Sequence, residues 1–414
     1  MYPLTRSTSR FRFFGASGPS FALDFVNGTN ALDPRITFTR ASTATFFNSA
    51  GVLTSAAIDV PRFDYNPSTL AAQGLLIEEA RTNLCLQSED WGSATWSKSG
   101  STITANATTA PTGTTVADKL VEDTSTGTHI TTQSISLGGS VDNSAYVISV
   151  FAKASERTRC QLFDNAQASS GITSFDLSNG TVVSGTGTIT AVGNGWYRCS
   201  VFPLKSTSIT STLTIRLIST GTTTSYTGDG TSGIFVFGAQ LEVGAFPTSY
   251  IPTTTTALTR AADVASVNTL SPWYNASAGT LYAEFSIPAA TASRSQATFG
   301  DGTSNERMII SNNTSLTGTA WRIVDGGVDQ ADINNAGSFA NNATVKVAGA
   351  YAVNDFATSQ GGGTVGTDTS GTLPTVTTLY LGSNGAASYA SSYLRRITYY
   401  PRRLSNAELQ AITA

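Results

Sequence analysis

His129 is the only histidine in a chain of 414 residues, and that limits the chemistry available to it. A zinc site of the His-Glu-X-X-His kind needs two imidazoles, and most metal triads need more than one. A Ser-His-Asp triad has only His129 to use, within Gly127-Thr128-His129-Ile130-Thr131, and no Gly-X-Ser-X-Gly elbow accompanies it. Cysteine catalysis would need the same imidazole beside Cys85, Cys160 or Cys199. Cys160 and Cys199 each follow an arginine in a β-like run, which reads as a buried strand thiol. Three cysteines cannot complete a disulfide framework within one chain, so folding in a reduced cytoplasm is expected. A Cys160–Cys199 bridge between neighbouring strands stays open, because sequence does not fix its geometry. Glycoside hydrolysis needs two carboxylates a set distance apart, but 27 acidic residues single out no pair. Glu78 and Glu79 are adjacent, so their side chains diverge. No phosphate-binding Gly-rich loop follows a strand. The expectation is a chain without catalytic residues or a metal centre, and so not an enzyme.

Binding chemistry leaves more to consider. Asp229 and Asp301 sit in Gly-flanked turns where calcium could take loop carboxylates, yet no Asp-X-Asp-X-Asp-Gly run exists. Asp-Gly is first of all a turn signal, so no cofactor is expected and calcium is only a weak alternative. Sugar recognition uses an exposed aromatic face with a few hydrogen-bonding groups. Trp91, Trp96, Trp196, Trp273 and Trp321 read as core or sheet-edge packing. Tyr226 lies in the polar stretch Ser225-Tyr226-Thr227-Gly228-Asp229, so Tyr226 and Asp229 are the candidate glycan contacts.

These residues must be held by a β framework. Charged residues are 12%, about half the usual share, while aromatics reach 9% and glycine 38 residues. Low charge with abundant aromatics argues against disorder. Thr, Val and Ile with Gly-rich punctuation argue for many short strands. Net charge is −3 and the basic residues are scattered, so no nucleic-acid footprint is expected. Only the first fourteen residues lean basic, through Arg6, Arg10 and Arg12, as a solvated arm or a docking peptide. The start lacks an apolar signal core, and no apolar run reaches membrane-spanning length, so neither a secretory signal nor membrane insertion is expected.

Residues 1–84 form an irregular N-terminal section, with Phe21–Phe25 and Ile36–Thr39 as short alternating strands. It is too short to bury a large core alone and is expected to wrap on the next domain or a neighbouring subunit. Residues 85–252 read as a first sandwich of jelly-roll type, from Tyr146–Phe151, Trp196–Val201, Leu213–Leu217 and a late strand from Ile234 ended by Gly238. Residues 253–262 read as a linker after two prolines, Pro247 and Pro252. Residues 263–414 read as a second sandwich, with a half-buried strand at Leu281–Ile287 and others at Val345–Tyr351, Leu379–Leu381 and Ile397–Tyr400. Ser405 and Glu408 spell a capping box, and Leu404 and Leu409 a hydrophobic staple, for one closing helix. Gly228–Ser232 and Gly300–Ser304 are identical in sequence but too short to be a repeat. The fold class expected is all-β: two tandem antiparallel sandwiches behind an N-terminal docking segment.

Five stretches carry a resemblance: Asp33–Thr45, Pro61–Tyr65, Gly74–Leu84, Gly193–Arg198, and Gly238–Glu242 running into Pro247–Pro252. Across nearly its whole length the chain resembles phage virion head-spike and tail-fibre proteins. Within that resemblance, residues 85–252 are similar to a carbohydrate-binding-module jelly roll and residues 263–414 to a concanavalin/laminin-G-like sandwich. The resemblance implies a virion structural protein, made in the host cytoplasm, that attaches to host surface polysaccharide. It implies docking to capsid or tail proteins through residues 1–84, and a homo-oligomer, as a trimer in fibres or a pentamer at a capsid vertex. It assigns no binding residue, because the shared motifs look like scaffold, and it leaves head or tail attachment open. The alternatives are a capsule depolymerase and a ligand-free decoration or adaptor protein.

Overall fold

The computed structural model describes residues 18–137, 145–165, 171–203, 210–288, 293–313, 318–335, 337, 340–385 and 388–414. The basic leader with Arg6, Arg10 and Arg12 lies outside the described residues. Among the described residues every strand pairing is antiparallel, and one helix closes the chain.

The first sandwich stacks two six-stranded sheets. One is centred on Tyr146–Ala154 between Trp196–Val201 and Gly233–Val243; the other is centred on Arg159–Asp164 and Thr210–Ile218. Period-2 alternation sends Ile148, Val150 and Ala152 inward from one sheet, and Leu213, Ile215 and Leu217 from the other. Cys160 and Cys199, on opposite sheets, are buried in this core as free thiols. Trp91 stacks on Trp96 at 4.1 Å between ring centroids, and both are buried.

The second sandwich stacks an eight-stranded sheet on a seven-stranded one, and the structure corrects the expected segmentation here. Residues 1–84 were expected as a docking section that wraps on the next domain or a neighbouring subunit. Instead Phe21–Asp24 and Ala72–Ile77 both pair with Ser392–Tyr400, in register Phe21↔Tyr399 and Ile77↔Ser392. Ile36–Thr39 extends the other sheet beside Val264–Val267. The physical reason is core size: these short strands cannot bury Phe21, Leu23, Phe63, Leu75 and Ile77 on their own, so they complete the distant sandwich. The first sandwich is thus an insertion within the sequence of the second. The expected linker is also structured, since Leu258–Arg260 pairs with Arg81–Asn83.

Two smaller corrections follow from local geometry. Gly238 does not end its strand, which continues to Val243. It takes φ +58, accompanies a register shift against Ser149 and Phe151, and leaves no room for a Cβ against Phe151 and Tyr250. The strand Ala278–Ser286 is buried on both faces rather than one. Its second face lies under the helix Asn406–Thr413, whose Leu409 packs with Leu404 over Tyr282, Ala348, Ala350 and Ala357. That helix has the expected capping box: Ser405 accepts from the Glu408 backbone N–H, and the Glu408 carboxylate accepts from the Ser405 N–H.

Candidate functional site

The stretches that stand out in sequence meet at the joint between the sandwiches. Arg62 donates to Glu78 at 2.7 Å and to Asp263 at 2.5 Å. Arg40 reaches the other Asp263 oxygen at 3.1 Å, and Arg260 reaches Glu78 at 2.6 Å. Ser249 donates to Glu78 from both its backbone N–H and its hydroxyl. All three arginines are buried, where removal from water is costly, so each needs its carboxylate. Burial alone would raise the Glu78 pKa, but Arg260 and Arg62 outweigh it and hold the carboxyl at about 2. Close by, burial pushes Asp64 up to about 7 despite the Phe47 N–H it accepts. Asn83 ties the same region together, donating to the carbonyls of Ala239 and Ile251 and accepting from the Leu241 N–H. The motif side chains are therefore engaged in holding two sandwiches together.

Tyr226 and Asp229 lie together at one end of the first sandwich, beside Glu122 and Arg157. The Tyr226 hydroxyl donates to Glu122 at 2.7 Å, and its ring lies 4.5 Å from the His129 ring. Arg157 pairs with the same carboxylate through two nitrogens, at 2.8 and 2.5 Å, and covers the Tyr226 ring at 5.3 Å. Burial, then the bond to Glu122, raises the Tyr226 pKa. Asp229 is exposed, and its carboxylate accepts from Ser232 and Thr231 in its own turn, which holds its pKa below the usual range. Asp301 makes the same turn with Thr303. Identical sequences at 228–232 and 300–304 thus encode the same Asx turn. Among the described residues, no group of three or more His, Cys, Asp or Glu is arranged to hold a metal ion.

A second candidate was not singled out in sequence. The strands Arg307–Asn312, Thr319–Asp325 and Val328–Asn334 send Met308, Ile310, Trp321, Ile323 and Ile333 into the core. Their alternate residues face outward and line a groove of about 300 Å³. Ile309 and Ala320 form its apolar floor, while Ser295, Ser311, Arg322 and Asn334 supply hydrogen-bonding groups. The rungs follow the register: Ser311 faces Ala320, which faces Asn334; Ile309 faces Arg322, which faces Asp332. Arg322 is held by Asp329 through two bonds of 2.6 and 2.9 Å. Arg307 also lines the groove; its Nε is buried without a partner, and no carboxylate among the described residues pairs with it. Burial lowers its pKa, and repulsion from Arg322 adds to this. The signal that could have found the groove is the period-2 run Arg307, Ile309, Ser311 against Ala320, Arg322.

Neither a protein-family model nor a curated protein matches the sequence. Solved structures do align with it. One is a Ruminococcus gnavus IT-sialidase CBM40 bound to α2,3 sialyllactose, at 18% identity and TM-score 0.30, over 34% of this chain and 84% of that one. Another is Trypanosoma rangeli sialidase, at 14% identity and TM-score 0.28, over 72% of this chain and 66% of that one. The structural neighbours are thus carbohydrate-binding and sialidase proteins. The expectation that the chain is not an enzyme is withdrawn, because sialidases, which are enzymes, stand among these neighbours. At TM-scores of 0.30 and below, the likeness itself assigns neither an activity nor a residue to this chain.

Proposed function

We propose that this protein is a phage virion appendage that presents β-sandwiches for attachment to host surface glycans. The observation that carries the glycan half is the groove: hydroxyl, amide and guanidinium groups over an apolar floor of Ile309 and Ala320. A sugar ring offers the complement, with hydroxyls at its rim and C–H groups on its faces. The virion half rests on the sequence resemblance, whose motifs here supply Arg40, Arg62, Glu78 and Ser249 to the joint between the sandwiches. A stiff joint suits a projecting spike, since it keeps the outer sandwich at a fixed reach. Repetition in a homo-oligomer, a trimer or a pentamer, would turn weak sugar sites into useful avidity. Docking to capsid or tail proteins is assigned to residues 1–84, and Tyr226 with Asp229 remains a second sugar contact.

The test is immunogold electron microscopy of intact particles, with an antibody against residues 263–414. Gold on the capsid makes the chain a head spike or fibre, and gold at the tail makes it a tail fibre. Gold on no particle overturns the virion reading.

A further inference from the structure

Arg307 is an arginine without a paired carboxylate in a groove whose other charges are Arg322, the Asp329 bound to it, and Asp332. Asp329 lies near enough to attract it, but binds Arg322 in a fork. Asp332 faces Arg322 on the neighbouring rung, so it stands two strands across and two residues along from Arg307, about 12 Å by ordinary strand geometry, on the far side of Arg322. The groove is therefore polarised, positive at its Arg307 end. A guanidinium presents a planar fork of donors that matches a carboxylate. A partly desolvated arginine lacking a partner is stabilised by any anion that fits beside it, and its lowered pKa has that same origin.

We propose that the groove takes an acidic polysaccharide, with the carboxylate of one sugar residue seated on the Arg307 guanidinium. This rests on the glycan-attachment reading above and adds the class of sugar. Ile309 and Ala320 then support the sugar's C–H face, while Ser311 and Asn334 meet its hydroxyls. Arg322, already neutralised by Asp329, donates from its outer edge and adds no net charge.

The experiment measures binding of the full chain to immobilised polygalacturonate, to carboxyl-reduced polygalacturonate and to dextran, at low and physiological salt. The parent is expected to bind polygalacturonate more tightly than either neutral polymer, and less tightly as salt rises. Arg307→Gln is expected to lower that affinity about tenfold or more, and to lower the affinity for dextran by much less. Ser311→Trp, which fills the groove and keeps Arg307, is expected to weaken all sugar binding. Thermal unfolding of each variant separates loss of the fold from loss of the site. If the parent binds acidic and neutral polymers alike and Arg307→Gln changes nothing, the acidic-sugar assignment is overturned while glycan attachment stands. If the parent binds none of the three, both are overturned.

Discussion

Replacing Glu78 with glutamine tests the joint directly. The buried cluster holds three arginines, Arg40, Arg62 and Arg260, against two carboxylates, Glu78 and Asp263. Glu78→Gln keeps the size of the side chain but leaves one carboxylate for three guanidiniums. The magnitude can be worked in two ways. The folded state holds the Glu78 pKa at about 2 against its ordinary 4.5, which corresponds to about 3 kcal/mol at roughly 1.4 kcal/mol per pH unit. Removing one partner of a buried ion pair costs about 3–5 kcal/mol. The two routes agree. Because the folded pKa is depressed, this stability is fully present above about pH 4.5 and is lost as pH falls towards 2. Urea unfolding followed by tryptophan fluorescence reads both quantities. Trp91 and Trp96 report the first sandwich, and Trp273 and Trp321 the second. The variant is expected to lose about 3 kcal/mol at pH 7 and to show a flatter stability profile between pH 4.5 and 2. It is also expected to separate one cooperative transition into two, as the sandwiches uncouple. A loss below about 1 kcal/mol, with the acid limb unchanged, would refute the reasoning.

Further expectations concern other parts of the chain. Asp64 has a raised folded pKa of about 7, so its contribution is present below about pH 4 and is lost as pH rises through 7. Asp64→Asn should remove that loss, and thermal melts of the variant and parent should converge below pH 4 and part above it. Ser405→Ala should cost about 1 kcal/mol by breaking the capping box, measured as a lower urea midpoint with an unchanged slope. Tyr226→Ala should weaken glycan-array signals from the first sandwich; equal binding by parent and variant would remove Tyr226 as a sugar contact.

How much was legible in the sequence depends on how far apart the interacting residues lie. Strand alternation at Tyr146–Phe151, Leu213–Leu217 and Trp196–Val201 was legible, because side-chain direction follows from a two-residue period. The closing helix was legible for the same reason: Ser405 and Glu408 are three residues apart, and a cap is a local bond. So was a turn at each of Asp229 and Asp301, though not the Asx bonding the two turns share. Leu281–Ile287 was only half legible, since its alternation shows one apolar face but not that a helix near the chain end covers the other.

The tertiary structure alone decided where the N-terminal strands belong. Phe21 and Tyr399 stand 378 positions apart in the chain yet pair in one sheet, and nothing local selects that partner. The same holds for the joint, where Arg40 and Asp263 are separated by 223 positions. The sequence shows Arg62, Glu78 and Arg260 as charges, but only burial makes them an ionic core. The groove needs three strands side by side before Arg307 can be seen to lack a carboxylate that Arg322 already holds. Local bonds and periodicity were determined by the chain itself, whereas long-range pairing depended on which surfaces had to leave water together.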